Sequence, residues 1–437
     1  MKLIKKILKS LNIEALNAMQ LASVEAIGKH KDIILLSPTG SGKTLAFLLP
    51  VLKSLEKDNN KVQVLVLTPS RELALQIEDV FKSMATGMKV SCCYGGHKTS
   101  VEKNNLMEPP ALLVGTPGRI LDHISRGNFS TEGIHTLVLD EFDKSLEMGF
   151  QEEMSAIIKN LKVVKKRILT SATKALEIPE FTGIEDPYIL DYLNENKQIE
   201  GLRGNLVRSD HKDKLSTLFP LLCHLGGEQT LVFCNHREAA QRVSDSLTDS
   251  SVVNEYFHGG LEQDKRERVL GKFRNGSCNI LVCTDLASRG LDIPEVKHVV
   301  HYHLPANEQA YIHRNGRTAR MNAEGDSYLI LSADETVPAY IKEELNFIEL
   351  PDTRILPPKP LWGTIYIGKG KKDKLNKVDI VGFLMQKGNL EKEEIGLIEV
   401  KDFFSYVAVK RSRIRELLRT VRDEKIKNKK TVIEECD

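Results

Sequence analysis

The sequence lacks the features that mark secreted, metal-binding and membrane proteins. Its seven cysteines include no Cys-x-x-Cys pair, and most of them lie in apolar runs typical of strands. We therefore expect buried, reduced thiols rather than zinc ligands or disulfides. No segment approaches the roughly 18 apolar residues that a membrane span needs. These absences favour a cytoplasmic protein without a membrane partner.

The basic N-terminus also lacks the uninterrupted apolar stretch of an export signal. The apolar residues of Met1 to Ser10 instead recur at helical spacing among lysines, which predicts an amphipathic helix. No repeat of fixed period is present. A chain of 437 residues corresponds to about two to four domains.

Net charge is small but unevenly distributed. The whole chain carries 62 Lys/Arg against 60 Asp/Glu, a net charge of +2. Residues 354–430 hold 20 basic and 10 acidic side chains (net +10), whereas residues 1–353 have a net charge of −5 and the last seven −3. A basic C-terminal module indicates a polyanionic partner, with a solvated basic face as the alternative.

A glycine-rich loop at residues 37–44 is the strongest chemical signal. It follows the apolar run 32–36, a predicted strand, and leads into a predicted helix. Strand, glycine loop and helix form a phosphate-binding site, in which Lys43 meets the β- and γ-phosphates and Thr44 ligates Mg²⁺. A glycine-rich turn with a chance Gly-Lys-Thr is the alternative. The predicted nucleotide-binding residues of this loop are Ser37, Pro38, Thr39, Gly40, Ser41, Gly42, Lys43 and Thr44.

Clustered carboxylates follow a second apolar run about a hundred residues later. In Val138-Leu-Asp-Glu-Phe-Asp143, Asp140 is placed to hold Mg²⁺, and Glu141 to position or deprotonate the attacking water. Taken alone, an acidic strand end is usually a turn. Following a phosphate loop in an α/β domain, it predicts a nucleotide hydrolase.

Alternating strands and helices divide the chain into three predicted domains. The domains cover residues 1–193, 204–350 and 361–430, with linkers at 194–203 and 351–360 and a tail at 431–437. No second phosphate loop occurs in the middle domain. Predicted strands are 32–36, 62–68, 89–93, 111–115, 136–140 and 167–171, then 229–234, 254–258, 279–284, 297–301 and 327–331, then 362–368, 395–400 and 405–409; predicted helices include 71–84, 151–161, 378–385 and 412–424.

Further motifs lie in a fixed order along residues 1 to about 350. They are Pro69-Ser-Arg-Glu-Leu-Ala74, Gly95-Gly96, Thr116-Pro-Gly-Arg119, Ser171-Ala-Thr173, Val232-Phe-Cys-Asn235, Thr284-Asp-Leu-Ala-Ser-Arg-Gly-Leu-Asp292 and His313-Arg-Asn-Gly-Arg-Thr-Ala-Arg320. The chain thereby resembles the DEAD-box RNA helicases. Phe142 replaces the name-giving alanine, and we expect local repacking around an intact site, with altered coupling between ATP and RNA as the alternative.

The resemblance implies two RecA-like parallel-sheet domains in tandem that bind ATP, Mg²⁺ and RNA. It assigns catalysis to Lys43, Asp140, Glu141, Arg317 and Arg320, and nucleotide contacts also to Gln20 and Asp292. It assigns coupling of ATP state to RNA binding to Ser171 and Thr173. The RNA-binding residues that it implies are Arg71, Gly95, Gly96, Thr116, Pro117, Arg119 and Thr284.

The two arginines near the end of the last motif are expected to act as arginine fingers. Arg317 and Arg320 are three residues apart, which predicts that they share one face of a helix. Ion pairs with nearby carboxylates are the structural alternative. Asn315 and Ala319 depart from the family pattern, which has an aliphatic residue and a glycine there.

The C-terminal module resembles the RNA-binding domain of the DbpA subgroup, a small RRM-like α+β domain. The resemblance implies recognition of a 23S rRNA hairpin near the peptidyl-transferase centre and a role in assembling the large ribosomal subunit. Tyr366 and Tyr406 fall on predicted strands and Phe404 directly precedes one; each ring either stacks on a base or belongs to the core. No base-reading residue is assigned.

Together these features predict a monomeric ATP-dependent RNA helicase that separates short stretches of RNA duplex locally. One alternative is a non-unwinding RNA-binding assembly factor that uses ATP as a latch. Another is a DNA helicase.

Overall fold

The computed structural model describes residues 2–38, 40–57, 59–96, 99–174, 177–193, 201–288, 296–318, 324–351 and 355–436. The chain divides into two compact units that meet in sequence near residue 197. The first unit holds one α/β domain. The second holds another α/β domain and the small C-terminal domain.

The first domain is built on a seven-stranded parallel sheet. Its strand order is β3-β4-β2-β5-β6-β1-β7. The strands are β1 (Asp32–Leu36), β2 (Val64–Leu67), β3 (Val90–Cys93), β4 (Leu112–Gly115), β5 (Thr136–Leu139), β6 (Lys166–Ser171) and β7 (Tyr188–Asp191). The helices are α1 (Lys2–Ser10), α2 (Ala18–Lys29), α3 (Lys43–Lys53), α4 (Arg71–Ser83), α5 (Thr99–Leu106), α6 (Pro117–Ser125), α7 (Phe142–Glu147) and α8 (Gln151–Asn160).

Central strands of this sheet are apolar on both faces. In β1, Ile33 and Leu35 enter one hydrophobic cluster, whereas Ile34 and Leu36 enter another. Successive side chains of a strand point to opposite faces, and helices cover both faces of a parallel sheet. Unbroken apolar runs therefore marked these strands in the sequence. The edge strand β7 was not predicted. Tyr188 and Ile189 are exposed there, so the strand has no continuous buried apolar run.

The second domain repeats this architecture. Its strand order, β10-β11-β9-β12-β13-β8-β14, matches that of the first domain strand for strand. The strands are β8 (Leu202–Ser209), β9 (Thr230–Phe233), β10 (Glu255–Phe257), β11 (Ile280–Cys283), β12 (His298–His301), β13 (Gly325–Ser332) and β14 (Asn346–Phe347). The helices are α9 (Leu215–Leu225), α10 (Arg237–Asp249), α11 (Gln263–Arg274) and α12 (Glu308–Asn315).

Two strands of the second domain were not predicted. Strand β8 begins at Leu202, inside the segment assigned to a linker, and pairs with β13 along its whole length. Polar residues such as Arg203 and Asn205 interrupt the apolar run by which a strand is predicted from sequence. In the fold, Arg203 donates from Nε to Asp326 Oδ1 at 2.7 Å. The two-residue strand β14 is too short to carry a pattern.

The C-terminal domain is an antiparallel sheet with helices packed against it. Its strand order is β16-β17-β15-β20. The strands are β15 (Trp362–Ile367), β16 (Ile395–Val400), β17 (Ser405–Lys410), a separate hairpin of β18 (Lys425–Ile426) and β19 (Lys429–Lys430), and β20 (Ile433–Glu435); the helices are α13 (Lys377–Gln386) and α14 (Arg411–Thr420).

Two boundaries in the C-terminal domain need correction. The segment 431–437 was set apart as an acidic tail, but its strand β20 pairs with β15, and Ile433 packs against the core. Three residues are too few to reveal alternation in the sequence. Helix α14 ends at Thr420, not at residue 424 as predicted. After Thr420 the chain leads into the hairpin of β18 and β19.

Two further expectations concern cysteines and membrane helices. All seven cysteines carry free thiols, as predicted, and four of them are buried. Among the described residues no helix combines the length and apolar character needed to cross a bilayer.

Candidate nucleotide and RNA sites

The phosphate loop connects buried strand β1 to helix α3. Gly40 and Gly42 have φ values of 82° and 88°, in the left-handed region that favours glycine. A Cβ on Gly42 would also overlap the amide of Gln20. The buried Lys43 donates from Nζ to the carbonyls of Ser37 and Pro38, at 2.7 Å each. Backbone N–H groups and an ammonium at a helix N-terminus are suited to bind phosphate.

Gln20 lies against the same loop. Its Oε1 accepts from Asn17 N at 3.1 Å, and its Nε2 donates to Gly42 O at 3.3 Å. Asn17 Nδ2 in turn donates to Ser41 O at 3.0 Å. The amide of Gln20 keeps one N–H and one lone pair beyond these two bonds. Residues 17–20 therefore fasten the start of α2 to the loop and leave Gln20 capacity for a base.

Asp140 is buried at the carboxyl end of β5, and Thr170 organises it. Thr170 Oγ1 donates to Asp140 Oδ1 at 2.6 Å and accepts from Glu141 N at 3.2 Å. Burial raises the pKa of the Asp140 carboxyl, while the Thr170 hydrogen bond and the charge of Lys43 lower it. Thr44, whose side chain carries a hydroxyl, is the residue after Lys43 in α3. Carboxylate and hydroxyl oxygens are the hard ligands that Mg²⁺ prefers, so these residues fit that ion.

Asp143 joins the acidic cluster to the segment after β6. Its Oδ2 accepts from Ala172 N and Thr173 Oγ1, both at 3.2 Å. Ser171 Oγ donates to Thr173 O at 2.9 Å. Of the two predicted coupling residues, Thr173 thus contacts Asp143 directly, and Ser171 is joined to it through Thr173.

Phe142 is fully buried in one hydrophobic cluster of the first domain. Its ring centroid lies 6.4 Å from that of Phe181. The left-handed backbone of Glu141, with φ of 46°, turns the chain so that Phe142 enters the core while Asp140 and Asp143 keep their polar partners. The geometry fits local repacking around an intact acidic cluster.

Arg71 and the glycine pair after β3 form one surface in the first domain. Arg71 is the first residue of α4, and a Cβ on Gly96 would lie 2.5 Å from Arg71 Nη1. Gly96 has a φ of 88°, and a Cβ on Gly95 would lie 3.8 Å from Arg71 Nη2. Only glycine lets the backbone approach this guanidinium so closely.

Arg119 is held by a buried carboxylate. Its Nε lies 3.5 Å from Glu102 Oε2, which also contacts His123 Nε2 at 2.9 Å. Tyr94 N donates to the other oxygen of Glu102 at 3.0 Å. Helix α6, which carries Arg119, begins with Thr116 as its N-cap residue and Pro117 at its first position. Glu102 thereby ties Arg119 to the strand that leads into Gly95 and Gly96.

Arg314 organises the strand ends of the second domain. Its side chain is fully buried and donates to both carboxylate oxygens of Asp285, at 2.5 and 3.1 Å. It also donates to His303 O and Asn235 Oδ1, each at 2.8 Å. Thr284, directly before Asp285, donates from its backbone N to Phe257 O at 3.2 Å. One guanidinium therefore connects the segments that follow β9, β11 and β12.

The predicted helical placement of Arg317 is wrong. Helix α12 ends at Asn315, with Gly316 as its C-cap residue, and Arg317 lies in the following turn. Because the helix ends before Arg317, its spacing in the sequence did not place it on a helical face. Arg317 is buried. The predicted site residues Thr39, Asp292 and Arg320 lie outside the described residues.

The C-terminal domain packs on the second α/β domain through polar groups. Asn275 Nδ2 donates to Thr364 Oγ1, which donates to Ser277 Oγ, each at 2.9 Å. Arg411 Nη2 donates to Ser277 O at 3.0 Å and to Trp362 O at 2.9 Å. These residues lie at the C-terminal end of α11 and on β15 and α14. The two domains therefore share a specific interface.

Three aromatic rings on or beside the strands of the C-terminal domain form one cluster, and one of them lies at this interface. The ring centroids of Tyr366, Phe404 and Tyr406 lie 5.1 to 6.1 Å apart. Tyr406 is buried, and a Cβ on Gly271 in α11 would lie 3.2 Å from its ring. Tyr366 and Phe404 are half-buried. Tyr406 therefore belongs to the interface. Of the two roles predicted for this ring, base stacking or packing in the core, its burial favours packing.

Several exposed lysines lie in the two-stranded hairpin of the C-terminal domain. We define the basic hairpin as Lys425–Lys430, which carries four lysines across a tight turn. Lys427 pairs with Asp379 at 2.6 Å. Further exposed basic residues lie nearby in sequence, at Arg415, Arg419 and Arg422.

Sequence reasoning missed several residues that organise these sites. Thr170 bonds Asp140 and Glu141, Glu102 holds Arg119, and Arg314 connects its own motif to Asn235 and Asp285 of two others. Arg314 lay inside a quoted motif, but its burial was not evident from the sequence. Thr170 and Glu102 lie outside the motifs, so only the fold reveals their partners.

Comparisons with known proteins agree with this architecture. Residues 17–181 match the family description "DEAD/DEAH box helicase", and residues 213–322 match "Helicase conserved C-terminal domain". Together they define a two-domain helicase core. Residues 364–435 match "DbpA RNA binding domain".

Curated relatives narrow the class further. The chain is 31% identical to ATP-dependent RNA helicase DbpA of Escherichia coli over 97% of this chain and 94% of that protein. It is 29% identical to the Bacillus subtilis protein of the same name, over 96% and 94%. The chain belongs to the DbpA-type DEAD-box ATP-dependent RNA helicases, a family of RNA-stimulated ATPases. This confirms the predicted family and favours an RNA helicase over the two alternatives.

Solved structures support the fold. A variant of Saccharomyces cerevisiae Dbp5 bound to RNA and ADP BeF3 matches with a TM-score of 0.68 and 25% identity, over 79% of this chain and 93% of that chain. Mss116p bound to ssRNA and AMP-PNP matches with a TM-score of 0.67 and 25% identity, over 76% and 73%. These matches confirm the two RecA-like domains, and the match to the DbpA RNA binding domain together with the four-stranded antiparallel sheet confirms the added small α+β domain.

Proposed function

We propose that the first domain activates ATP through the phosphate loop and the acidic cluster. Lys43 binds the β- and γ-phosphates, and Glu141 orients the attacking water. Gln20 and Asp292 contact the rest of the nucleotide. The contacts of Thr170 support this assignment, because its hydroxyl donates to the Asp140 carboxylate and accepts from the backbone N–H of Glu141, which holds the two residues at one strand end.

Mg²⁺ belongs to this proposal. Thr44 and Asp140 would hold the ion, partly through water, and the ion would neutralise charge on the phosphates. The burial of Asp140 supports this role, because a cation compensates a carboxylate that has lost its hydration.

Arg317 and Arg320 are proposed as the arginine fingers of the reaction. Such arginines contribute about 10³ to 10⁵ in rate. The proposed RNA contacts in the helicase core are Arg71, Gly95, Gly96, Thr116, Pro117, Arg119 and Thr284. Support comes from the close packing of Arg71 on Gly96 and from the anchoring of Arg119 by Glu102, since both fix guanidinium groups for phosphate binding.

Substrate choice is assigned to the C-terminal domain. We propose that it directs the helicase to a hairpin of 23S rRNA during assembly of the large ribosomal subunit. The observation that carries this proposal is the match of residues 364–435 to a DbpA RNA-binding domain, in a segment that holds 18 basic and 12 acidic side chains (net +6). The enzyme is proposed to act in the cytoplasm, where its seven free thiols stay reduced, and as a monomer.

The basic hairpin is the proposed contact surface for this RNA. The buried Tyr406 faces α11, whereas Lys425, Lys429 and Lys430 are exposed. Lys427 holds the hairpin in place through Asp379 and through a hydrogen bond of 2.6 Å from its Nζ to Lys374 O. A fixed row of ammonium groups is suited to bind a folded RNA backbone.

The test compares RNA-stimulated ATPase rates with the 23S rRNA hairpin and with an unrelated hairpin of equal length. Wild type is expected to reach half-maximal rate at a lower concentration of the 23S hairpin. Reversing two charges with Lys429→Glu and Lys430→Glu should raise that concentration about tenfold. The control pair Lys159→Glu and Lys162→Glu, exposed in the first domain, should leave it within about twofold.

The two parts of the proposal fail separately. Equal stimulation of wild type by both hairpins would contradict targeting to 23S rRNA. A wild-type preference that survives the hairpin charge reversal would keep the target but move the RNA surface elsewhere on the domain.

A further inference from the structure

A buried polar cluster lies beneath the turn that carries Arg317. It consists of His301 at the end of β12, Ser327 on β13 and Asn315 at the end of α12. The exposed fractions of these residues are 0%, 0% and 1%. Asn315 Oδ1 lies 3.0 Å from His301 Nε2 and 2.9 Å from Ser327 Oγ. We call these three residues the His301 cluster.

Hydrogen-bond chemistry fixes the roles in the His301 cluster. A carbonyl oxygen only accepts, so Asn315 Oδ1 accepts from the Ser327 hydroxyl and from His301 Nε2–H. His301 is neutral, since burial and the nearby charge of Arg314 lower its pKa to about 3. One amide oxygen thus binds the end of α12 to two adjacent strands of the sheet.

The backbone of Asn315 also holds the next turn. Thr318 N donates to Asn315 O at 3.0 Å, and Arg317 N donates to Arg314 O at 3.2 Å. Val296 N donates to Arg317 O at 3.1 Å, and Thr318 Oγ1 donates to Lys297 O at 3.3 Å. The turn is therefore tied to the segment before β12, while its starting point depends on the Asn315 side chain.

From this geometry we infer that Asn315 is a positioning residue for ATP hydrolysis: its amide oxygen, held by His301 and Ser327, fixes the turn that presents Arg317. The inference rests on the proposed role of Arg317. A merely structural cluster would stabilise the second domain without affecting turnover. The two roles are separable, because misplacing a catalytic group by about 1 Å lowers rate strongly while substrate binding persists.

The experiment uses the full chain with saturating RNA and measures kcat and the KM for ATP. Asn315→Leu removes the acceptor at similar volume and is expected to lower kcat by at least about tenfold, with KM within about twofold. Val299→Ala is the matched control, because Val299 is a buried core residue of β12 outside the His301 cluster. It should lower the melting temperature and leave kcat within about twofold.

Dependence on Arg317 is tested in a second background. Arg317→Lys keeps a charge and a measurable rate, and adding Asn315→Leu to it should lower kcat by less than about threefold, because the positioned group has already changed. Should Asn315→Leu fail to fold, Ser327→Ala removes one of the two donors and should lower kcat about threefold.

The outcomes separate this inference from the proposed function. Unchanged kcat in Asn315→Leu, or the same fold-loss in the Arg317→Lys background as in wild type, would overturn the positioning role alone. If Arg317→Ala kept wild-type turnover, the proposed role of Arg317 and the positioning role would both be overturned. A tenfold loss that disappears in the Arg317→Lys background would support both.

Discussion

The two α/β domains share one strand order and differ in the loops at their strand ends. In the first domain, β1 leads into a loop whose Gly40 and Gly42 take left-handed conformations. In the second, the equivalent strand β8 leads into residues 209–214, which contain no glycine. The shared scaffold therefore does not by itself place the phosphate site proposed above. The proposal assigns that site by loop sequence, in accord with ligand sites at the carboxyl ends of parallel strands.

The two domains also differ in the contacts of the lysine that lies at the end of each loop. Lys43 begins α3 and directs its ammonium at the carbonyls of the phosphate loop. Lys214, the N-cap residue directly before α9, is buried and pairs with Glu335 at 2.5 Å. Lys43 thus keeps its ammonium within the loop that is proposed to bind phosphate, whereas Lys214 forms an ion pair with Glu335.

A similar divergence appears at the ends of the central strands. Strand β5 is followed by Asp140 and Glu141, whereas the equivalent β12 is followed by Tyr302 and His303. Burial lowers the pKa of His303 to about 4, so the second domain has a neutral imidazole where the first has carboxylates. The second domain therefore lacks the acidic pair at this strand end.

The largest expected effect separates the two lysines. Lys43→Ala should abolish RNA-stimulated ATP hydrolysis, a loss of more than about a thousandfold, because the phosphates lose their ammonium partner. Lys214→Ala should retain at least about a third of the wild-type rate but lower the melting temperature, because it leaves Glu335 without its partner. Phosphate release at saturating RNA measures the first effect, and circular dichroism measures the second. Equal losses of activity would break the comparison.

A smaller effect is expected at the glycines of the first domain. Gly42→Ala should raise the KM for ATP about tenfold, because a side chain at φ of 88° is strained and would overlap Gln20. The control is Gly28→Ala in α2, where a Cβ meets nothing within 4 Å and alanine favours the helix. A steady-state ATP titration of both variants is the measurement. An unchanged KM in Gly42→Ala would show that the loop tolerates another conformation.

The sequence predicted those elements whose pattern is local, and it missed those that are defined by distant partners. Buried parallel strands such as β2 and the phosphate loop were predictable, because unbroken apolar runs and glycine spacing are local features. Strands β7, β8 and β20 were not, since exposed, polar or very short segments become strands only through their partners. For the same reason the packing of Tyr406 on Gly271 and the contacts of Thr170 were found only in the fold.

The smallest expected effect concerns the neutral His301 of the second domain. Its folded pKa of about 3 lies below the unfolded value of about 6.5, so the unfolded chain binds the extra proton first as pH falls. The contribution of neutral His301 to the free energy of unfolding is fully present above a pH of about 6.5. It decreases as the pH falls towards 3, and about 2 kcal/mol of it is lost at pH 5. His301→Gln should remove about that much of the loss between pH 7 and pH 5, measured by urea unfolding. An identical pH dependence in both proteins would show that His301 is not the responsible group.

The central claim is that one of two matching scaffolds carries the nucleotide site. Isothermal titration of the full chain with AMP-PNP, Mg²⁺ and RNA tests it most directly. We predict one nucleotide bound per chain, with binding lost in Lys43→Ala and retained in Lys214→Ala. Two nucleotides per chain, or undiminished binding in Lys43→Ala, would contradict the claim.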